Sequence, residues 1–310
     1  MSARSNNLGR GFEFAFLQIL YENIKEHRDI KIINNSSLEA SKRAYEIVGR
    51  EIQNLYSQSI CSVMDKIFEL EPLILSGNDT IHIYIQNDKK AELGDVRDII
   101  IERKDIKWQI GFSLKHNHFA VKHSRLSQSN DFGKKWYDKS CSDDYWDKIL
   151  PIFEFLSTQK GKKWSELADK ESEIYQPILS AFKDEILLQN KNKELNIPRK
   201  IVEYLLGIFD FYKIISIDRS KLTQIQTFNL YGTLNQNSKL IIPIINLPSR
   251  IINFDFKPNS KNTLELYLDE GWQFNFRLHN ASTMIESSLK FDIQIVGMPT
   301  TIITINCLWK

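Results

Sequence analysis

Apolar residues recur along this chain at two periods, and the period changes along its length. Between Gly9 and His27, Phe12, Phe16, Ile19 and Leu20 stand near helical spacing, which predicts an amphipathic helix. Leu38 to Leu70 predicts one long or two successive helices, capped by Ser36 or Ser37 and closed by Pro72 and Gly77-Asn78-Asp79. Thr80 to Gln86 alternates Ile81, Ile83 and Ile85, a strand pattern. Helices are expected again over Asp143–Ser157, capped by Ser142 or Asp143, and over Trp164–Leu188, with Ser165 as cap. Another is expected from Pro198 to Phe211, beyond a polar connector over Gln189–Ile197. From Leu222 onward the runs are short: Ile241–Ile245, Ile251–Phe256, Thr263–Leu268, Trp272–Leu278, Phe291–Val296 and Ile302–Ile305. The pattern predicts an α/β region over 1–217 followed by a β-rich region over 218–310, the two packed as one body or as two.

Two runs in the first region carry chemistry. Gly94-Asp95-Val96-Arg97-Asp98 leads into Ile99-Ile100-Ile101, and Trp108-Gln109-Ile110-Gly111-Phe112-Ser113-Leu114 ends at Lys115. They read as a hairpin with acids at the entrance of one strand and a lysine at the exit of the other. Carboxylates there suit a divalent cation, and a lysine suits the charge on phosphate or an attacking water. Asp98 directly precedes the apolar run and Asp95 follows Gly94, so both are candidate ligands. Arg97 between them is a candidate ion-pair partner instead. Glu13, between Phe12 and Phe14 on the first helix, is a candidate auxiliary acid, because a carboxylate at a buried boundary needs a partner or a metal. The competing reading is a surface glutamate or a partner of Arg10.

Composition changes this picture little. The chain has 310 residues, 42% of them apolar, which is ample for a core, and a net charge of +2 that neither demands nor excludes nucleic acid. No apolar run is long enough to span a bilayer and no signal sequence is evident, so no membrane association and a cytoplasmic location are expected. Cys61, Cys141 and Cys307 are far apart and show no metal-ligand spacing.

Basic and polar clusters supply candidates for DNA contact. The stretch His116 to Lys139 is basic and polar. Half of the six histidines stand at His116, His118 and His123, without the spacing or cysteines of a zinc site. Lys122, His123 and Arg125 suit phosphate contacts, with a solvated basic face as the alternative. In Trp272–Ser282, alternating aromatics accompany Arg277, His279, Asn280 and Ser282, a row suited to base edges, with an exposed strand face as the alternative.

The strand-entrance acids and the strand-exit lysine resemble the PD-(D/E)xK nuclease core, except that Ser113 stands where an acid is usual. Taken with Gly9-Arg10-Gly11-Phe12-Glu13, Ser113 to His118, Ala120 to Ser127 and Phe276 to Ala281, the chain resembles the HaeIII-type restriction endonucleases. The resemblance implies a restriction-endonuclease-like α/β fold and a type II enzyme that cuts double-stranded DNA at GGCC using magnesium. It also implies a companion methyltransferase. Under it Asp98, with Asp95 as competitor, binds metal, Lys115 assists the attacking water, and Glu13 supplies the charge that Ser113 cannot. A palindromic target favours a symmetric dimer, with a monomer acting twice as the alternative. Three other readings stay open at this stage: a structure-specific or repair nuclease, a DNA-binding protein without catalysis, and an α/β protein unrelated to nucleic acid.

Overall fold

A computed structural model of the chain describes residues 3–87, 94–119 and 122–310, the side chains of 3–5, 122 and 123 excepted. In chain order the helices are α1 (Ala3–Lys25), α2 (Ser36–Ile47), α3 (Arg50–Leu70), α4 (Phe132–Tyr137), α5 (Asp143–Thr158), α6 (Gln176–Gln189) and α7 (Ile197–Leu206). The strands are β1 (Ile30–Ile32), β2 (Ile81–Ile85), β3 (Ile99–Arg103), β4 (Trp108–His116), β5 (Lys122–Ser127), β6 (Phe211–Ile217), β7 (Leu222–Phe228), β8 (Ile251–Phe256), β9 (Thr263–Leu268), β10 (Gln273–His279), β11 (Ser288–Gly297) and β12 (Thr304–Leu308). The fold is α/β, as the sequence predicts. Among the described residues no helix is long and apolar enough to cross a membrane.

The contacts group the chain into two compact units. The first comprises 1–119, 207–245 and 300–310, and holds a mixed seven-stranded sheet in the order β1-β2-β3-β4-β6-β7-β12. This grouping differs from a division at 217/218. β6 pairs in parallel with β4, and β7 and β12 extend the same sheet, so pieces distant in sequence complete it. Phe12, Phe16, Leu20 and Ile24 of α1, at spacings of four, are buried against the sheet. So are Tyr56, Ile60, Val63 and Ile67 of α3. They meet Ile81, Ile83, Ile99, Phe112, Ile214 and Ile225.

The second unit comprises 120–206 and 246–299, with an antiparallel sheet in the order β5-β11-β10-β9-β8. One face alternates inward: Leu126, Phe291, Ile293, Phe274, Phe276, Leu264 and Leu266 are buried. The Phe182 ring of α6 lies 5.0 Å from Phe291 and 5.8 Å from Phe276. The other face carries Asn275, Arg277, His279, Lys290, Asp292 and Arg125.

Several expected elements end elsewhere, for local reasons. Asn35, rather than Ser36 or Ser37, caps α2 by accepting from Leu38 N–H at 2.9 Å. The basic stretch after His116 contains β5 and α4. Of the β5 side chains described, Leu126 and Ser124 turn inward and Arg125 outward, too short an apolar signal to read. The run Trp164–Leu188 is not one helix: a 3₁₀ turn at Trp164–Glu166 and a wider turn at Glu171–Tyr175 precede α6, which has Pro177 in its first turn. The run Ile241–Ile245 forms no strand, and Ile302–Ile305 gives way to β12. Phe211 opens β6 rather than closing α7, because Gly207 takes φ 95°. A Cβ on Gly207 would stand 2.5 Å from the Gly94 carbonyl oxygen, so glycine is required both for the turn and for this approach. That contact seats the segment bearing Asp95 and Asp98.

Candidate active site

The last ladder pair between β3 and β4 is Ile99 with Phe112. Just beyond it the strands part, and Asp98 stands in the fork. Its own N–H donates to Phe112 O at 2.8 Å and its carbonyl accepts from Gln86 N–H at 2.8 Å, so its backbone is held on both sides. Its carboxylate accepts from Leu114 N–H at 2.6 Å, Lys115 Nζ at 3.2 Å and Ser113 Oγ at 3.4 Å. Asp98 and Lys115 side chains are about a quarter exposed, so the pair faces solvent at one edge. Ser113 thus takes a place beside Asp98 as a donor, not as a third acid.

Glu13 is brought to the same place by α1. Ser41 Oγ of α2 donates to it at 3.2 Å. Burial pushes its carboxyl up to about 8, and the nearby Asp98 charge pushes the same way, against Lys115, Arg10 and the Ser41 hydrogen bond. Two carboxyl groups sharing a partly buried space offer oxygen donors of the kind that suit a divalent cation. Magnesium characteristically takes one or two carboxylates and completes its shell with water and substrate phosphate. Asp98 and Glu13 fit that requirement. Among the described residues no group of three or more His, Cys, Asp or Glu side chains is arranged to hold a metal by itself.

The other entrance acid is placed differently. Asp95 accepts from Arg97 Nε at 2.8 Å and from Arg97 Nη2 at 2.7 Å, a buried bidentate pair. Burial alone would raise the Asp95 carboxyl, but Arg97 holds it below the usual carboxylate range. Arg97 also lies 3.9 Å over the Phe209 ring. Both Asp95 oxygens are therefore engaged, and the pair anchors the loop that delivers Asp98. Removing one member of a buried pair strands the other charge, at about 3–5 kcal/mol. Arg97→Ala is therefore expected to lower the unfolding free energy by roughly that amount. Denaturant melts that superpose on the wild type would contradict it.

The histidines separate. The side chain of His116 is largely covered, its ring 5.0 Å from Tyr56 and 5.7 Å from Phe12, and its Nε2 is 2.9 Å from Asp218 Oδ2. Asn117, with φ 54°, also donates to Asp218 at 2.9 Å. His116 thus closes the end of β4 behind Lys115. His118 is exposed. The side chains of Lys122 and His123 lie outside the described residues. Arg125 is half-exposed and donates to Ser288 Oγ at 2.8 Å and to Glu286 at 3.3 Å.

In β10, Arg277 is exposed, with Asp292 3.9 Å away. His279 Nδ1 is 2.7 Å from the Asn280 carbonyl, and burial pushes the ring pKa down from its ordinary value. Asn280 is spent on the turn: it accepts from Tyr175 OH at 3.2 Å and donates to Ser282 O at 2.6 Å. Ser282 Oγ donates to Met284 O at 2.7 Å. Two residues near the fork escaped the sequence reading. Asp218 carried no signal, whereas Lys213, in the middle of the apolar run Phe211–Ile217, was legible as an anomaly.

An acid in a strand fork, hydrogen-bonded to a strand-exit lysine and with a helix-borne acid nearby, is an arrangement that suits metal-assisted phosphodiester cleavage on an α/β core. The family model described as HaeIII restriction endonuclease matches residues 9–299. The chain is 52% identical over 317 aligned residues, covering all of both chains, to the type II restriction enzyme HaeIII of Haemophilus aegyptius. It belongs to the HaeIII restriction endonuclease family and is a site-specific deoxyribonuclease. No solved structure matches it.

Proposed function

We propose that this enzyme is a magnesium-dependent type II restriction endonuclease that cuts double-stranded DNA at GGCC, with Asp98, Lys115 and Glu13 as its cleavage site. The carboxylate of Asp98, hydrogen-bonded to Lys115 Nζ at 3.2 Å and lying close enough to Glu13 to raise it, carries this reading. Asp98 and Glu13 hold the cation. Bound there, it supplies Lewis-acid stabilisation of phosphate charge and lowers the pKa of water. Lys115 orients the attacking water and neutralises charge on the phosphate. Ser113 and the Leu114 amide fix the Asp98 rotamer. GGCC is the target that the HaeIII resemblance implies. A palindrome suits a symmetric dimer, and a companion methyltransferase protects host DNA at the same sequence. Family membership sets aside the reading unrelated to nucleic acid.

Phage-length DNA incubated with the enzyme and magnesium is expected to give discrete fragments whose ends sequence to GGCC, and none when EDTA is present. Fragments ending in another common sequence would overturn the target. Cleavage in EDTA would overturn the metal dependence.

Arg277, on the outer face of β10, is proposed to read that target, with His279 beside it. Arginine presents two donors to guanine O6 and N7. Arg277→Ala is expected to cost about 1–3 kcal/mol on the cognate duplex and much less on a duplex already mismatched at the contacted pair. A uniform loss across all duplexes makes Arg277 a phosphate contact, and no loss makes β10 structural.

A further inference from the structure

Lys213 is a lysine almost entirely inside the protein, 4% exposed. The parallel register of β4 and β6 pairs it with Ser113, so it shares a sheet face with Ser113 and Lys115. Its Nζ donates to the Phe119 carbonyl at 3.0 Å. No carboxylate among the described residues pairs with it, and its antiparallel neighbour on β7 is the uncharged Gln226. A buried ammonium held by one neutral carbonyl is costly, and an anionic oxygen beside it would relieve that cost. Burial, and then the charge of Lys115, push Lys213 down to about 7. The carbonyl that covers it belongs to Phe119, whose side chain is half-exposed, at the end of the short segment after β4.

We propose that Lys213 is a second phosphate-contacting lysine of the cleavage site, which exchanges the Phe119 carbonyl for an anionic oxygen of the DNA backbone when substrate binds. The inference rests on the placement of the site at Asp98 and Lys115. A bound phosphate provides the missing counter-charge, raises the affinity of Lys213 for its proton, and lets Lys115 attend to the water while Lys213 holds the phosphate. No bond is made or broken by this exchange.

The test measures affinity in EDTA, where cleavage is absent, for duplexes carrying the cut sequence with one phosphate at a time replaced by a neutral methylphosphonate. Lys213→Met removes the charge. Lys213→Gln removes it but keeps a donor for the Phe119 carbonyl, and serves alone if the methionine variant does not fold. Both are expected to bind the unmodified duplex on the order of tenfold more weakly, since a hydrogen bond to a charged group is worth about that factor. The deficit should vanish at one methylphosphonate position, where the wild type has lost the same contact. A deficit of equal size at every position, no deficit, or full recovery with glutamine would overturn the proposal, the last by reducing Lys213 to a tether for Phe119. Asp98→Asn is assayed for cleavage in parallel. If it cuts normally, the site itself is misplaced and the inference falls with it. If it is inactive while Lys213→Met binds every duplex like the wild type, the inference about Lys213 alone falls.

Discussion

Asp98→Ala is expected to abolish cleavage while leaving the fold and DNA binding largely intact. One side chain performs two tasks in the fork. It accepts from Leu114 N–H, Ser113 Oγ and Lys115 Nζ, and in the proposed site it shares with Glu13 the task of holding the cation. Alanine removes both at once, and loss of a preorganised electrostatic group costs on the order of 100- to 1,000-fold by itself. Metal loss adds to this. Asp98→Asn separates the tasks, because an amide oxygen still accepts from Leu114 N–H but carries no charge. It should fold at least as well as the alanine variant and be equally inactive. Binding in EDTA should hold or tighten, since a negative charge leaves a surface that meets phosphate. Single-turnover cleavage in magnesium, with affinity in EDTA, checks both halves. Full cleavage by both Asp98→Ala and Asp95→Ala would remove this end of β3 from the site.

Lys115→Ala is expected to lower the single-turnover rate by about 100-fold or more, with a much smaller effect on affinity. The lysine is only partly exposed and already paired with Asp98, so it is held in one place rather than swept through solvent. A positioned charge acts mainly on the step in which phosphate charge grows. A surface lysine would instead weaken binding to every sequence and reduce the salt dependence by about one unit. An unchanged rate would end the proposed role. A uniform loss of affinity with an unchanged rate would make Lys115 an ordinary phosphate contact.

Much of the candidate site was legible because its residues break local rules. Asp98 at the door of three isoleucines, Lys115 at the end of a buried strand and Glu13 between two phenylalanines are polar groups where apolar packing is expected. Groups that cost free energy in such places point to chemistry. Asp95 breaks the same rule and looks the same in sequence, yet Arg97 two residues later engages both its oxygens. Whether an arginine turns toward its neighbour depends on the space around it. Here Phe209 lies under the guanidinium and Gly111 leaves room for its stem, where a Cβ would come within 2.0 Å of Arg97 Cδ.

The chain by itself determined the periodic elements. α1, α3, β2, the hairpin β3–β4 and the strands β8 to β11 follow from apolar spacing, because each must bury one face. It also carried the family, through short segments whose order runs across most of its length. Tertiary structure decided what sequence separation hides. β6, nearly a hundred residues after β4, lies beside it and brings Lys213 level with Ser113, and β12 returns from the far end to finish the same sheet. His116 and Asn280, alike in sequence as polar residues at strand ends, proved to be committed to Asp218 and to Tyr175 and Ser282. Pairing and hydrogen-bond partners are set by which surfaces meet in space. Local patterns establish only that a face or a donor exists, and the folded chain selects its partner.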